Sequence, residues 1–449
     1  MTTQIFVAST AFGLATLAAA LADDLFEQSD RRILVVTTNT AMPEATPSIL
    51  EVAGAARLCN RFADVFDYNQ AIEPQHPMAW APRPNDLPIL ERHLRLLWGV
   101  GEDDVHLIVE SIQVNPSRAL CQIFGDARID VYADGLMTYG PTRSRLPAAL
   151  GCRIERLLHL DLVPGVTPLL ITEWEVPRVM ISTAPMRSVI AEMGVDGGDQ
   201  GLTDGKAAES AVMVVGQYLA ANRLLTDAEE ADLYAGMIQG CADAGFTRVI
   251  FKPHPSAPPS QVSDLEKAAA GAGIEFVGSD SLELAEAAYA RHQVGLVVGC
   301  FSTALVTAGS IYGLPAARYG TELLLERLSP YHNSNRIPTT IVDAMLPDIR
   351  APRPNSRPAE PPSGYLNALV GAIGYLMQPQ LLAGRREEAV QFLATHPSAR
   401  ERYAKRRRLT SLGLPGGLPP VRPAKALLRK VSRELAGLPL IRRWQSTRS

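Results

Sequence analysis

The sequence predicts an α/β protein of two doubly wound, Rossmann-like domains that face a central cleft. Three observations lead to this prediction: twelve short apolar runs, the helical stretches between them, and one Gly- and Asp-rich break. Strands that alternate with helices of about 10–15 residues indicate parallel sheets built from βαβ units. At 449 residues, the chain also exceeds what one compact core usually serves, so two domains are expected.

The candidate strands are apolar, and several are rich in β-branched residues, as expected for strands that helices cover on both faces. In the first half of the chain they are 4–8, 33–37, 63–67, 104–110, 128–132, 155–160 and 178–182. In the second half they are 211–215, 247–251, 274–277, 294–298 and 314–318.

The break near 185–209 holds five glycines among Asp, Gln and Ser, which is typical of an interdomain linker. We therefore expect a first Rossmann-like domain over 1–188, a linker over 189–206 and a second one over 207–375. Residues 376–449 are expected to form a C-terminal helix and a basic tail. Helices are predicted near 364–377 and 384–395, and the first is expected to pack back across the domain pair.

The N-terminal stretch from Ile5 to Ala22 is mostly apolar, yet no Lys or Arg precedes Arg31. The positively charged start of a signal peptide is therefore missing, and the stretch is short for a membrane span of about 20 residues. We interpret it as a buried strand, a turn over Ser9–Gly13 and a helix that ends near Ala22. Together with the strand 33–37, it predicts a βαβ opening.

Composition is ordinary for a soluble globular protein, with 47% hydrophobic and 20% charged residues. Five cysteines are far apart and form no CxxC pair, so buried, reduced thiols are expected (Cys59, Cys121, Cys152, Cys241 and Cys300). No metal-ligand cluster of Cys and His is visible, which argues against a structural zinc site. The expected compartment is the cytoplasm.

Charge is distributed unevenly along the chain. Residues 399–449 hold 14 Lys and Arg against two acidic residues, whereas the remainder holds 29 basic against 45 acidic residues. A helix over Ala424–Leu438 would carry leucines on one face and basic residues elsewhere. Such a tail fits peripheral contact with the anionic inner face of the cell membrane, and a solvated tail is the equal alternative. Few aromatic residues interleave with the charges, which argues against a nucleic-acid partner.

The first motif that carries chemistry is the turn Lys252-Pro253-His254-Pro255, directly after the strand 247–251. Both prolines fix φ and restrict the residue before them, so the imidazole direction is held. An imidazole suits proton donation near neutral pH, and Lys252 adds positive charge beside it. The alternative is a turn histidine that is simply exposed to water.

A second motif, Gly299-Cys300-Phe301-Ser302-Thr303, follows the strand 294–298 and opens a small-residue helix. Free backbone N–H groups, the helix dipole and two hydroxyls would make a phosphate site there. The alternative is a simple helix cap. A third motif, Asp134-Gly135, follows the strand 128–132; its carboxylate is a candidate base for an attacking hydroxyl, or else only a turn former.

The order Asp-Gly, Lys-Pro-His-Pro, Ser-Thr resembles the bacterial sialyltransferases, and above all the α-2,8-polysialyltransferase family, over roughly residues 4–330. That family is described by three sialyl motifs: acidic-acidic-Gly, His-Pro and Ser-Ser/Thr. The resemblance implies a GT-B fold, a CMP-sialic acid donor, inversion at the anomeric carbon, and neither metal nor other cofactor. It also implies a glycan acceptor on a surface polysaccharide or glycolipid.

By position, the resemblance assigns Asp134 as the general base and His254 as the group on the departing CMP phosphate. Ser302 and Thr303 would bind that phosphate, and Gly216-Gln217 resembles the family's first donor-domain loop. Lys252, Pro255 and Gly299 complete the expected donor site. The sequence departs from the family at Ala133, which stands where the first acidic residue of the motif is expected.

Three other functions stay open. A teichoic-acid-type glycerophosphotransferase that uses CDP-glycerol carries a similar His-Pro turn, but usually an acidic residue before its serine pair, unlike Gly299-Cys300-Phe301. A non-hydrolysing sugar epimerase of the same fold is a further alternative. Ala133 also leaves open a catalytically dead sugar-binding protein.

Overall fold

The computed structural model describes residues 1–38, 40, 46–194, 211–254, 259–351 and 364–419. Residues Met1–Ala389 form one compact unit, and a second unit starts at Val390. Both predicted sheets lie in the first unit. The domain boundaries at 188 and 207 therefore stay a prediction.

Seven parallel strands form the first sheet in the order β3-β2-β1-β4-β5-β6-β7. They are β1 Thr2–Ala8, β2 Arg31–Val36, β3 Asp64–Asp67, β4 Asp104–Val109, β5 Arg128–Ala133, β6 Ile154–Leu160 and β7 Arg178–Ile181. The order reverses between β1 and β4, as in a Rossmann fold. The associated helices are α1 Ala11–Ala22, α2 Ala55–Cys59, α3 Tyr68–Ile72, α4 Leu87–Leu97, α5 Ser117–Ile123, α6 Ala148–Gly151 and α7 Thr183–Gly194.

Five parallel strands form the second sheet in the order β10-β9-β8-β11-β12, with its own reversal between β8 and β11. They are β8 Ala211–Val215, β9 Arg248–Lys252, β10 Glu275–Gly278, β11 Val294–Gly299 and β12 Ala316–Arg318. Two Rossmann-like sheets confirm the α/β class that the apolar runs predicted. Each of the twelve predicted strands is present, with ends shifted by at most two residues.

Among the described residues, ten further α-helices follow in the second half of the chain. They are α8 Asp227–Asp243, α9 Pro259–Ala272, α10 Ala285–Arg291, α11 Thr303–Tyr312, α12 Thr321–Arg327, α13 Arg336–Met345, α14 Tyr365–Met377, α15 Arg386–Thr395, α16 Pro397–Tyr403 and α17 Arg406–Leu412. The prediction that α14 packs back is confirmed. Its Asn367 side chain accepts from Thr167 N–H at 2.9 Å, and a Cβ at Gly374 would lie 2.4 Å from Leu169.

The βαβ opening is also confirmed, because β1 is followed by α1 and then by β2. Thr10 caps α1 by accepting from Gly13 N–H at 2.9 Å, which satisfies an amide that no helical carbonyl reaches. Small side chains cover most of α1, and nine of its residues are buried. This close packing places the start of α1 at the carboxyl end of the first sheet.

Helix α7 continues to Gly194 and so includes the first residues of the expected linker; residues 195–210 lie outside the described residues, as do 352–363 of the Pro-rich stretch. The prediction for the cysteines needs correction. All five cysteines are free, but only Cys121, Cys241 and Cys300 are buried, whereas Cys152 is exposed. Cys152 stands directly after the short helix α6, where its side chain meets solvent.

Across the part of the chain that the structure describes, no helix has the length and apolar character needed to cross a membrane. The basic run Lys405–Arg408 leads into α17, which ends at the left-handed Gly413. The predicted amphipathic helix over Ala424–Leu438 lies outside the described residues.

Candidate functional site

The predicted site residues follow strands at the carboxyl edges of the two sheets. In the first sheet the loops after β1, β4 and β5 contribute, and in the second sheet those after β8, β9 and β11. These strands include both pairs at which the strand order reverses. Ligands of open α/β sheets bind at such points, because the neighbouring loops diverge there and leave space.

The Lys-Pro-His turn begins at the end of β9. Lys252 is only 4% exposed, and its ammonium donates to the carbonyls of Pro253 at 3.1 Å and Ser281 at 3.2 Å. Burial lowers the pKa of Lys252 to about 8, although the carboxylates of Glu283, Asp280 and Glu286 oppose this. The described hydrogen bonds of the ammonium thus join the turn to the loop after β10, whereas the sequence suggested a charge directed at a ligand.

Gly216, directly after β8, allows the neighbouring loop to approach this turn. Its N–H donates to the Lys252 carbonyl at 2.8 Å. A Cβ at position 216 would lie 3.0 Å from the Phe251 ring and 3.1 Å from that carbonyl. Glycine is therefore required by close backbone approach, and this holds the residue after next, Tyr218, beside His254.

The His254 ring stacks on Tyr218, with ring centroids 6.2 Å apart and an angle of 19° between the planes. Its side chain is exposed to solvent but also has many protein atoms around it. This partial burial lowers the pKa of His254, and the positive charge of Lys252 lowers it further. The imidazole is therefore neutral at pH 7 in the free protein. Pro255 lies outside the described residues.

The Gly299–Thr303 segment turns from β11 into α11. Ser302 is the N-cap of α11, and its hydroxyl accepts from Ala304 N–H at 3.3 Å. The capping interpretation is thus confirmed for Ser302, and a cap does not prevent the hydroxyl from donating elsewhere. A Cβ at Gly299 would lie 3.4 Å from the Val215 carbonyl, an ordinary van der Waals contact, so this approach does not by itself require glycine.

Gln217 connects the loops after β8 and β11. Its Oε1 accepts from Phe301 N–H at 2.9 Å, and its backbone carbonyl accepts from the Tyr234 hydroxyl at 2.6 Å. The Gln217 N–H also contacts the Tyr234 oxygen. Gln217 therefore fixes the approach of the two loops, and this contact explains its conformation without any ligand.

Asp134 lies directly after β5, beside the start of α1. Its Oδ2 is 3.5 Å from Thr10 Oγ1, and a Cβ at Gly13 would lie 3.5 Å from the same oxygen. Burial raises the pKa of Asp134, while hydrogen bonds from its own backbone and from Thr10 oppose the change. A carboxylate with a raised pKa is a better proton acceptor, as a general base requires.

Glu110, which the sequence reasoning did not single out as a site residue, is close enough to Asp134 for the charge of Asp134 to act on it. It follows β4, the strand beside β5, and its Oε1 accepts from Ser9 N–H at 2.8 Å. Burial raises the pKa of Glu110 to about 7, and the negative charge of Asp134 contributes. The available signal was an acid at the end of an apolar strand, in the same position relative to β4 as Asp134 has to β5.

The acidic loop of the first sheet meets the hydroxyl motif of the second sheet. Thr303 Oγ1 accepts from Leu136 N–H at 3.3 Å, and a Cβ at Gly135 would lie 3.0 Å from the same oxygen. The negative charge of Asp134 also contributes to the raised pKa of Glu286, after burial. The structure thus brings the Asp-Gly loop to the N-terminus of α11. The proposed phosphate-binding hydroxyl of Thr303 also positions this loop.

Residues 4–321 match the family described as alpha-2,8-polysialyltransferase (POLYST), which is more than two thirds of the chain. The chain belongs to the alpha-2,8-polysialyltransferase family. It is therefore a glycosyltransferase of the sialyltransferase type, with the two Rossmann-like sheets that the GT-B fold requires. As a glycosyltransferase, it uses a nucleotide-sugar donor and a glycan acceptor.

Among curated proteins, none matches the sequence. Among solved structures, MurG of Acinetobacter baumannii is similar at 12% identity, covering 89% of this chain and 99% of that one, with a TM-score of 0.39. The GT-B domain of a sialyltransferase from Photobacterium damselae is similar at 10% identity, covering 77% of this chain and 96% of that one, also at a TM-score of 0.39. Similarities of this size carry no conclusion about substrate.

Proposed function

We propose that this protein transfers sialic acid from CMP-sialic acid to a glycan acceptor, by a single inverting displacement that needs no metal and no other cofactor. The observation that carries the proposal is the meeting of the Asp134 loop with the start of α11, through Leu136 N–H and Thr303. A displacement needs a base on the acceptor side and a phosphate site on the donor side. Here the two lie on loops in direct contact.

In this mechanism the acceptor O–H proton moves to the Asp134 carboxylate. The acceptor oxygen bonds the anomeric carbon, and the bond from that carbon to the phosphate oxygen breaks, its electron pair leaving with CMP. Charge then grows on the phosphate, where His254, Ser302, Thr303 and the N-terminus of α11 stabilise it. No second carboxylate has to form a covalent intermediate.

In the free protein, His254 fits the role of a neutral hydrogen-bond donor better than that of an acid that is already protonated. Burial and Lys252 lower its pKa in the free protein, so the ring is neutral at pH 7 and still carries one N–H. A bound phosphate brings negative charge, which raises the pKa of the ring again. Protonation of His254 is therefore favoured when the leaving group is present.

The first test replaces His254 by Ala and measures CMP release from CMP-sialic acid with sialylated and galactose-ended acceptors. Loss of the donor to the leaving phosphate is expected to lower kcat by roughly 10²–10³-fold. His93→Ala is the matched control, because His93 is exposed on α4, and its turnover should equal that of the native protein. Full activity in His254→Ala would contradict the assignment.

A second test separates this function from glycerophosphotransfer. CMP-sialic acid is expected to raise the melting temperature, because a ligand that binds only the folded state stabilises it, whereas CDP-glycerol should not. A shift with CDP-glycerol alone would favour the teichoic-acid-type reaction. Shifts with both and turnover with neither would favour a sugar-binding protein without activity.

We also propose that the protein acts in the cytoplasm and that its basic C-terminal region contacts anionic membranes. The support is the charge of residues 399–449, with 14 basic against two acidic residues. Truncation after residue 397 should then abolish co-sedimentation with anionic vesicles and preserve turnover of a soluble acceptor. Unchanged co-sedimentation would remove the proposal.

A further inference from the structure

We propose that Glu110 and Asp134 form one carboxylate pair that holds a single proton in the resting enzyme. In the acidic-acidic-Gly motif, Ala133 stands where the first acidic residue is expected. Glu110, directly after β4, supplies this second acidic group instead. Glu110 is a positioning residue, and Asp134 is the member that reaches the acceptor. The catalytic role of the pair rests on the sialyl transfer proposed above, whereas the pair itself does not.

The geometry of the strands brings these two carboxylates together. β1 pairs with β4, and β4 pairs with β5, so the loops after these three strands are neighbours at one edge. Glu110 accepts from Ser9 N–H at 2.8 Å, and Asp134 Oδ2 lies 3.5 Å from the hydroxyl of the next residue, Thr10. Two adjacent residues of one loop therefore contact the two acids.

The surroundings disfavour two negative charges at this place. Glu110 is only 7% exposed. Tyr132 is also buried, and its hydroxyl donates to the Val7 carbonyl at 2.9 Å. After burial, the negative charges of Glu110 and Asp134 also raise the pKa of Tyr132, and the charge of Asp134 contributes to the raised pKa of Glu286 on α10. The Ser9 N–H, which donates to Glu110 at 2.8 Å, compensates part of one negative charge.

Two interacting carboxylates in a poorly solvated place share one proton, because the second ionisation is opposed by the first. Burial and the charge of Asp134 raise the pKa of Glu110 to about 7, which agrees with the geometry. Each group experiences the charge of the other, so Glu110 also favours protonation of Asp134. Asp134 is the more exposed of the two, which assigns it the contact with the acceptor.

The test follows the carboxyl carbons by NMR in protein labelled with ¹³C at Asp and Glu side chains, as the pH is varied. The native protein should show two coupled steps, one of them near pH 7. In Glu110→Gln, which keeps an oxygen for Ser9 N–H, the step near pH 7 should vanish and Asp134 should titrate at least about one pH unit lower. Glu110→Asp should restore two steps.

Asp161→Asn is the matched control, because Asp161 follows the next strand, β6, and its charge acts on Tyr139 and His159. It should leave the Asp134 titration unchanged. Independent titration of both acids near pH 4 in the native protein would overturn the pair, whether or not Glu110→Gln folds. The same result would follow if Glu110→Gln left the Asp134 step in place.

An activity measurement separates the pair from the proposed function. With CMP-sialic acid and a glycan acceptor, kcat of the native protein should rise as the pH increases across 7. In Glu110→Gln this rise should occur at lower pH, and kcat at its plateau should be about tenfold lower, because Asp134 becomes a weaker base. Coupled titration without any turnover would leave the pair and remove sialyl transfer. Turnover with the same pH profile in both proteins would leave sialyl transfer and remove the role of Glu110.

Discussion

Asp130 lies within β5, and Asp134 lies four residues later, directly after the strand. The two carboxylates have opposite electrostatic surroundings. Asp130, near the start of β5, accepts from the Arg156 guanidinium at 2.9 and 2.8 Å and is fully buried. Asp134, at the end, has Glu110 beside it and the Thr10 hydroxyl as its described donor. Aspartate is thus a structural anion at position 130, inside the sheet, and a candidate base at position 134, at the carboxyl end of the strand.

The directions of the pKa shifts follow from these partners. Burial alone would raise the pKa of Asp130, but His106 and Arg156 outweigh it and lower the pKa. For Asp134 burial wins, and the pKa rises. Burial alone therefore does not decide the charge state of these two acids. A cation in contact decides it.

His106 makes the network at the start of the strands unusual. Its Nε2 lies 3.3 Å from Asp130 Oδ2, yet neither ring nitrogen has a hydrogen-bond partner among the described residues. Ligand atoms of His106, Asp130 and Glu155 lie within 4.8 Å of one another, as a metal site would need. The Arg156 charge on the same Asp130 oxygen disfavours a cation there, so we assign this network to stability.

The sharpest test of the comparison exchanges each acid for its amide. Asp134→Asn removes the base and should lower kcat for CMP release by about 10²–10⁴-fold, with unfolding unchanged or shifted to higher temperature. Asp130→Asn should instead lower the melting temperature and leave kcat per folded molecule unchanged. Turnover assays and calorimetry on both variants give kcat and the melting temperature of each. A loss of kcat in Asp130→Asn, or a loss of stability in Asp134→Asn, would contradict these assignments.

A smaller effect is expected from removing the cation. Arg156→Met leaves a buried Asp130 carboxylate without its partner, and the free energy of unfolding should fall by roughly 2–4 kcal/mol at pH 7. The loss should shrink as the pH falls, because Asp130 without Arg156 takes up a proton at a higher pH than in the native protein, and protonation removes the uncompensated charge. Urea unfolding at pH 7 and pH 3 measures both values. Arg153→Met, whose guanidinium donates to backbone carbonyls only, is a control that should show no such pH dependence.

The smallest effect concerns Glu110. Its pKa rises on folding from 4.5 to about 7, so across that window the folded state keeps a proton that the unfolded chain has released. The free energy of unfolding therefore falls as the pH rises from about 4.5 to about 7 and is level above. Glu110→Gln should remove this slope and be more stable than the native protein above pH 7, by roughly 1–3 kcal/mol. An equal slope in both proteins would contradict the raised pKa.

The sequence was sufficient for the strands because runs such as Ala211–Val215 and Val294–Gly299 are apolar throughout, and only strands covered on both faces need that pattern. It was also sufficient to place His254 and Asp134 at strand ends. Strand order was not encoded locally, so the approach of Glu110 to Asp134 was missed. Lys252 was named as a site residue, but its buried contacts to Pro253 and Ser281 were not foreseen, because they depend on tertiary packing that a motif does not report.

The contact between Gly135 and Thr303 limits which residues can stand together at these two positions. A side chain at position 135 would start 3.0 Å from Thr303 Oγ1, so a larger residue there would displace the Thr303 hydroxyl slightly or favour a smaller residue at position 303. Loss of the Thr303 hydroxyl, in turn, leaves Leu136 N–H without its acceptor. Two motifs that stand 168 positions apart therefore constrain each other through one point of contact. Within related chains, we expect substitutions at these two positions to occur together.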